Sequence, residues 1–266
     1  MYGNGESTGA DVRGGMTPDE IRATKGVRRL AMLTAYDYPT ALALDGAGLD
    51  MILVGDSLGE VELGYPTTRH VTRAMMEHHI RAVRHGVSRT HLVGDMTADT
   101  YRTPAEGVET ARALVAAGAD SVKLEGALVA QVEAIIAAGI PVMGHVGLLP
   151  QTAVERKRLG KTGEEAERIV ADAVALDRGG CYAIVIEAVD PVVARRATDA
   201  VEAPTIGIAA GIGTDGQVLV STDLLGQLPN PPRFVTPKAN LHELVGDVGR
   251  EWVAEVRAAA AEAVAA

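Results

Sequence analysis

The chain has 266 residues, 47% hydrophobic and 23% charged, enough apolar surface for one large α/β domain and far from the make-up of a disordered chain. Its 35 acidic residues against 25 basic ones give a net charge of −10, and only 3% of residues are aromatic, so both phosphate attraction and base stacking are poorly served and no nucleic-acid partner is expected. No stretch reaches the ~18 consecutive apolar residues of a membrane helix, and the single cysteine, Cys181, cannot form an internal disulfide, which points to no membrane association and a reducing cytoplasm. Residues 1–15 are polar and Gly-rich and read as a flexible leader, with Met16 as a second candidate start. Thr17-Pro18-Asp19-Glu20 carries a cap, a first-turn proline and a capping-box glutamate. Residues 1–28 therefore read as a leader and a short helix, and 29–266 as the catalytic domain.

From there, short apolar runs alternate with longer amphipathic stretches. Strands are predicted at 31–35, 51–55, 91–94, 121–124, 141–144, 182–186 and 205–208, with a weak eighth at 233–235 inside a Pro- and Gly-rich loop, 226–238. Helices are predicted at 39–47, 72–85, 104–117, 127–138, 164–177 and 191–201, with a short segment near 216–225 and a long Ala-rich helix from 241 onward. Gly46, Gly48, Gly86, Gly118, Gly139 and Gly179 stand where helices should stop. The strands are continuously apolar, as in a parallel sheet covered by helices. Eight such units predict a single-domain (β/α)8 TIM-type barrel. An open doubly wound sheet is the structural alternative, but no G-x-G-x-x-G follows the first strand.

Barrel active sites form at the C-terminal ends of the strands. Read only there, the sequence offers Asp56 and Ser57, Asp95, Lys123 and Glu125, His145, and Glu187. Four carboxylates on one rim repel each other unless cations offset them. A hard divalent ion such as Mg²⁺ (or Mn²⁺), held by one or two carboxylates plus waters and substrate oxygens, is the economical answer. Lys123 supplies a further positive charge for a substrate carboxylate. Plainer readings stand beside these. Lys123 and Glu125, at i and i+2, could form a structural ion pair. Asp56 could cap a helix. Glu187 could sit with Asp190 in a solvated turn, and His145 could bond within the core. His78 and His79 fall on a helix and read as surface or interface residues. Cys181 opens an apolar run and reads as a buried hydrophobe. No Cys or His pair has zinc-ligand spacing.

Five fragments, in order, carry a family resemblance: Thr34-Ala35-Tyr36-Asp37-Tyr38; Leu53-Val54-Gly55-Asp56-Ser57-Leu58-Gly59; Val122-Lys123-Leu124-Glu125-Gly126; Gly139 to Leu148 with Pro150-Gln151; and Thr214 to Val220. Across residues 30–255 the chain resembles the ketopantoate hydroxymethyltransferases. The resemblance implies transfer of a one-carbon unit from 5,10-methylenetetrahydrofolate, the cosubstrate, to a small 2-oxo acid, 3-methyl-2-oxobutanoate, giving 2-dehydropantoate for pantothenate and coenzyme A synthesis. It implies Asp56 and Asp95 as Mg²⁺ ligands with Glu125 completing the metal's surroundings, Ser57 and Lys123 on the substrate carboxylate, Glu187 as general base, and His145 in support. It also implies a homo-oligomer, in the family a decamer of two pentamers. The chain departs from the family pattern after Asp95, in the loop 152–160, and at Ala209 where glycine is usual. The changed loops at 95–99 and 152–160 motivate an alternative, a folate-independent Mg²⁺-dependent 2-oxo-acid aldolase or lyase of the phosphoenolpyruvate mutase/isocitrate lyase group; a catalytically silent paralogue is a second alternative.

Overall fold

The computed structural model describes residues 14–265, so most of the expected leader, residues 1–13, lies outside the described residues. Eight strands follow one another: β1 (Leu30–Thr34), β2 (Met51–Val54), β3 (His91–Asp95), β4 (Ser121–Lys123), β5 (Val142–Gly147), β6 (Ala183–Glu187), β7 (Thr205–Ile208) and β8 (Gly216–Leu219). The helices are α1 (Pro18–Arg22), α2 (Tyr38–Asp45), α3 (Leu58–Val61), α4 (Arg73–Gly86), α5 (Pro104–Ala117), α6 (Val129–Ala137), α7 (Gly163–Arg178), α8 (Pro191–Asp199), α9 (Ser221–Leu224) and α10 (Leu241–Ala265). All strand pairs are parallel, and the ring closes where Leu30 to Leu33 of β1 meet Gly216 to Leu219 of β8. This is the expected single-domain (β/α)8 barrel.

The eighth strand is a correction. It lies at Gly216–Leu219, where a short helical segment was expected, and residues 233–235 form a turn, with Val235 N–H donating to the Pro232 carbonyl. Pro229, Pro231 and Pro232 deny that stretch the backbone donors a central strand needs. Gly216 and Gln217 hide the real strand, because they break the apolar run by which the other seven are recognised.

Local chemistry sets the helices. Thr17 and Thr103 make full capping boxes with Glu20 and Glu106, and Asp37, Thr72, Thr162 and Asp190 cap α2, α4, α7 and α8 through their side chains. Each such cap contributes about 1 kcal/mol. Left-handed glycines follow helices as expected at Gly48, Gly118 and Gly139, whereas past α7 Gly180 takes that role and Gly179 stays right-handed. Gly86 serves another purpose: a Cβ there would stand 2.7 Å from Leu42 N and 2.8 Å from the Tyr38 carbonyl oxygen, so its lack of side chain lets α4 lie against α2.

Two apolar layers result. Outward-facing strand residues such as Ile52, Leu92, Val122 and Ile184 pack under Ile80, Leu114, Ile135 and Leu176 of the helices. Inside the ring, Met32, Met51, Leu53, Val93, Met143, Val185 and Val218 fill the barrel, and Ile21 of α1 joins them, fully buried, from the N-terminal end. α1 is bound there by Arg22, which donates to the Cys181 carbonyl (2.8 Å) and pairs with Asp177 (2.8 Å). Each fully buried Leu, Ile or Met contributes roughly 1.5–3 kcal/mol. Below them lies a polar layer: Ser121 Oγ is 2.8 Å from both His91 Nε2 and the Tyr182 hydroxyl. Burial lowers the His91 pKa, so the ring is neutral and can bridge the Met16 carbonyl and Ser121. Among the described residues no helix is long and apolar enough to cross a membrane.

Candidate active site

Alternation along the strands decides what points into the barrel. His91, Val93 and Asp95 face inward on β3. Ser121 and Lys123 do so on β4, with Glu125 two residues on, Met143 and His145 on β5, and Val185 and Glu187 on β6. The lower members of each series are apolar, hydroxylic or, in His91, a neutral imidazole, and the upper members are charged except for His145. Strand register then sets Asp95 directly beside Lys123, and Gly147 beside Glu187.

The expected residues come together. Lys123 Nζ lies 2.9 Å from Asp95 Oδ1, so its ion pair is with the neighbouring strand rather than with Glu125. Asp56 follows β2, and its backbone N–H donates to Asp95 Oδ2 (3.2 Å). Its carboxylate caps no helix; Oδ2 accepts from Gln151 Nε2 (2.8 Å). Glu125 Oε2 accepts the Gln151 backbone N–H (3.0 Å). His145 is fully enclosed, with Nδ1 3.4 Å from Lys123 Nζ and Nε2 3.3 Å from Glu187 Oε2. An ammonium can only donate, so Nδ1 accepts and the neutral ring carries its proton on Nε2, facing Glu187. Burial, reinforced by the Lys123 charge, lowers the His145 pKa and keeps it neutral. Glu187 alone among these charged groups keeps a side chain 23% exposed, toward the cavity, rather than sitting in a solvated turn. Ser57 lines the same cavity, its Oγ 2.8 Å from the buried Tyr36 hydroxyl.

The electrostatics are those of a crowded acidic site. Burial, with Asp95 adding to it, pushes the Asp56 carboxyl up to about 7, and burial pushes Glu125 up to about 9 despite Lys123. Burial works against the Lys123 charge, yet Asp95, Glu125 and Asp56 outweigh it and hold the ammonium above the usual lysine range. The chain supplies one cation for three buried carboxylates. Among the described residues no group of three His, Cys, Asp or Glu side chains converges on a point where it could hold a metal ion. The expected trio Asp56, Asp95 and Glu125 is therefore not a ready-made three-ligand site; Asp56 and Glu125 are both engaged by Gln151. Asp56 and Asp95 still fit the oxygen chemistry of a Mg²⁺ that takes its other ligands from water and substrate.

Two features were not legible beforehand. Gln151 donates to Asp56, to Glu125 and to the Met96 carbonyl (2.8 Å), and accepts from the buried Tyr101 hydroxyl. It reaches in from a loop, so no strand period marks it; its place in the Pro150-Gln151 fragment was the only signal. His79 was expected at the surface or in an interface; it is half-buried, and its Nδ1 lies 2.7 Å from the Tyr36 carbonyl, whereas His78 is exposed. Cys181 is buried, and burial pushes its thiol up to about 12, so it is not a nucleophile.

The rim is built with strain. Ala188 and Ala209, just past β6 and β7, have φ of 49° and 52°, the left-handed region that costs a side-chain-bearing residue about 1–2 kcal/mol. The loop 152–160 is stitched to that rim by a Leu159–Val189 bridge, and Arg156 Nη2 holds both oxygens of Glu60 at 2.7 Å. Together these walls enclose a cavity of about 610 Å³.

Fold and site have the layout of a (β/α)8-barrel enzyme, with buried carboxylates, a lysine and a glutamate beside a histidine gathered at the C-terminal mouth of the barrel. Comparison with known proteins makes this specific. The profile of the ketopantoate hydroxymethyltransferase family matches residues 16–260. The 3-methyl-2-oxobutanoate hydroxymethyltransferase of Nitratidesulfovibrio vulgaris is 47% identical over 250 residues, covering 91% of this chain and 81% of that one. The enzyme of the same name from Ignicoccus hospitalis is 46% identical over 245 residues, 90% of this chain and 93% of its own. The chain belongs to the ketopantoate hydroxymethyltransferase family. Phosphoenolpyruvate phosphomutase from Streptomyces platensis subsp. rosaceus superposes with a TM-score of 0.62 at 13% identity, covering 92% of this chain and 88% of that one, a likeness of fold alone.

Proposed function

We propose that the chain is a 3-methyl-2-oxobutanoate hydroxymethyltransferase that carries a one-carbon unit from 5,10-methylenetetrahydrofolate to the oxo acid, with water completing the balance, to give 2-dehydropantoate and tetrahydrofolate. Close relatives of that name support the reaction. The observation that carries the roles is the Glu187 carboxylate, open to the cavity and 3.3 Å from His145 Nε2. Glu187 takes the proton from C3 of the oxo acid, and the neighbouring His145 helps to position the carboxylate while it does so. Lys123 and Ser57 hold the substrate carboxylate. Asp56 and Asp95 would hold Mg²⁺ or Mn²⁺, with Glu125 and Gln151 behind them. A bound divalent cation supplies Lewis acidity at the substrate's keto oxygen. C3, once deprotonated, attacks the one-carbon unit, and the walls of the cavity keep bulk water from quenching it.

Residues 29–266 would form the catalytic unit. A cytoplasmic setting agrees with the single, unpaired cysteine. A homo-oligomer agrees with α10, whose Leu244, Val248 and Trp252 recur at helical spacing and are all exposed. The folate-free aldolase or lyase reading draws on fold likeness alone. The test is NMR of 3-methyl-2-oxobutanoate in deuterated water with Mg²⁺. The protein exchanges the C3 proton without folate and forms 2-dehydropantoate when methylenetetrahydrofolate is added. Glu187→Gln abolishes the exchange; wild-type exchange in that variant would remove Glu187 from the role of base.

A further inference from the structure

The cavity is much larger than the oxo acid, and its charged groups occupy only one arc. Asp56, Asp95, Glu125, His145 and Glu187 come from the β2 to β6 side. The opposite arc, where β8 meets β1, carries a carboxylate that the chemistry above does not use. Asp223 lies on α9, immediately after β8. That turn is pinned to the barrel by Ser221, whose N–H donates to Thr34 Oγ1 (3.0 Å) and whose Oγ lies 3.3 Å from the same atom. Asp223 is only 7% exposed, lines the cavity, and has no side-chain hydrogen bond or ion pair within the described residues. A largely buried carboxylate that opens only onto the cavity and has no partner in the protein is poorly hydrated and ready to accept donors from a ligand.

Other features of the same cavity narrow the ligand. Phe234, the sole phenylalanine of the chain, is 49% exposed at the mouth, beside Leu228 and Pro232. A flat apolar surface there suits an aromatic ring. Arg156, Lys157 and Arg158 form a basic run on a chain of net charge −10, and all three line the mouth. Arg156 is occupied by Glu60, but Arg158 has no ion pair among the described residues. A deep carboxylate and an apolar platform thus line this arc, and a guanidinium from the loop after β5 reaches the same cavity mouth from the other side.

We propose that this arc, with the facing loop after β5, is the cosubstrate half of the site: Asp223 accepts the paired N3–H and 2-amino donors of the reduced folate's 2-amino-4-oxopyrimidine ring, Phe234 lies against the ring system, and Arg158, across the mouth, meets the carboxylates of the glutamate tail. The inference rests on the hydroxymethyltransferase reading and assigns residues to the half of the reaction which that reading left without any. The two parallel N–H groups of the ring match a carboxylate as a guanidinium fork does, two bonds in one plane. A carboxamide at position 223 turns one of the two acceptors into a donor and breaks the match.

The test is steady-state kinetics of Asp223→Asn with each substrate varied in turn. The KM for methylenetetrahydrofolate rises about 10- to 100-fold, while the KM for 3-methyl-2-oxobutanoate stays within about twofold. An unchanged folate KM, or equal rises for both substrates, overturns the inference. A measurement on the wild-type protein guards against a variant that fails to fold. 6-Methyltetrahydropterin, which has the ring without the tail, inhibits competitively against methylenetetrahydrofolate, and its analogue lacking the 2-amino group inhibits at least about tenfold less well. Equal inhibition by the two overturns the assignment of Asp223. Wild-type protein that exchanges the C3 proton but makes no product with methylenetetrahydrofolate overturns the function reading and this inference together, whereas normal turnover with a silent Asp223→Asn overturns the inference alone.

Discussion

Gln151 joins groups that would otherwise repel or stand apart. Its amide holds Asp56, its backbone holds Glu125, and its carbonyl oxygen takes the Tyr101 hydroxyl. Gln151→Ala keeps the backbone bond to Glu125 but strips Asp56, the Met96 carbonyl and the Tyr101 hydroxyl of their side-chain partner, and we expect a stability loss of about 1–3 kcal/mol with a 10- to 100-fold loss in kcat; thermal denaturation and steady-state rates check the two halves. Asp177 shows the same logic away from the site. Burial alone would raise its pKa, but the Glu202 and Ala203 N–H groups and the Arg22 guanidinium outweigh burial and lower it. A carboxyl whose folded pKa is lowered stabilises the protein above the ordinary carboxylate range and loses that contribution as pH falls through the folded value. Asp177→Asn should therefore cost about 1–3 kcal/mol at pH 7 and progressively less below about pH 4, read from urea unfolding at the two pH values. The inward residues were legible as strand-end charges because period two carries them to one side. Gln151, Tyr36 and Asp223 were not, because loop and short-turn residues have no period to betray where they point.

At the scale of elements, the close approach of β5 and β6 is what delivers the base. Gly147 has φ +94°, and a Cβ there would lie 2.4 Å from the Glu187 carbonyl oxygen and 2.6 Å from Val189 Cγ2. Gly147→Ala must push the end of β6 outward and take Glu187 away from His145. We expect a destabilisation of about 3 kcal/mol or more and near-complete loss of C3 proton exchange; a variant with wild-type melting and exchange would refute this account of the rim. Seven strands and most helices could be read from the sequence, because apolar runs, threonine caps and glycine stops agree with one another there. β8 could not, since Val218 is its one buried hydrophobic side chain, and a strand supplying so little leaves almost no apolar signature.

For the whole molecule, two consequences of the proposals can be measured. If Asp56 and Asp95 take a divalent ion, Mg²⁺ at a hundred times its Kd should add about 2.7 kcal/mol of stability, seen as a rise in melting temperature that EDTA reverses. If the stripe on α10 is covered by another copy of the chain, Val248→Asp with Trp252→Asp should lower the particle mass in light scattering while leaving the circular dichroism of the barrel intact. The ring itself carries a further implication, because it shuts only where residues 30–33 meet residues 216–219. A ribosome emits the first strand long before the last, and at ~5–20 residues per second the wait is on the order of tens of seconds. Throughout that interval the nascent barrel is an open, curved sheet with a free β1 edge, the state in which strands from different chains can pair. We therefore expect mispairing between chains to be greatest before β8 is made and to fall once it closes the ring, after which the sheet of the described residues has no free edge.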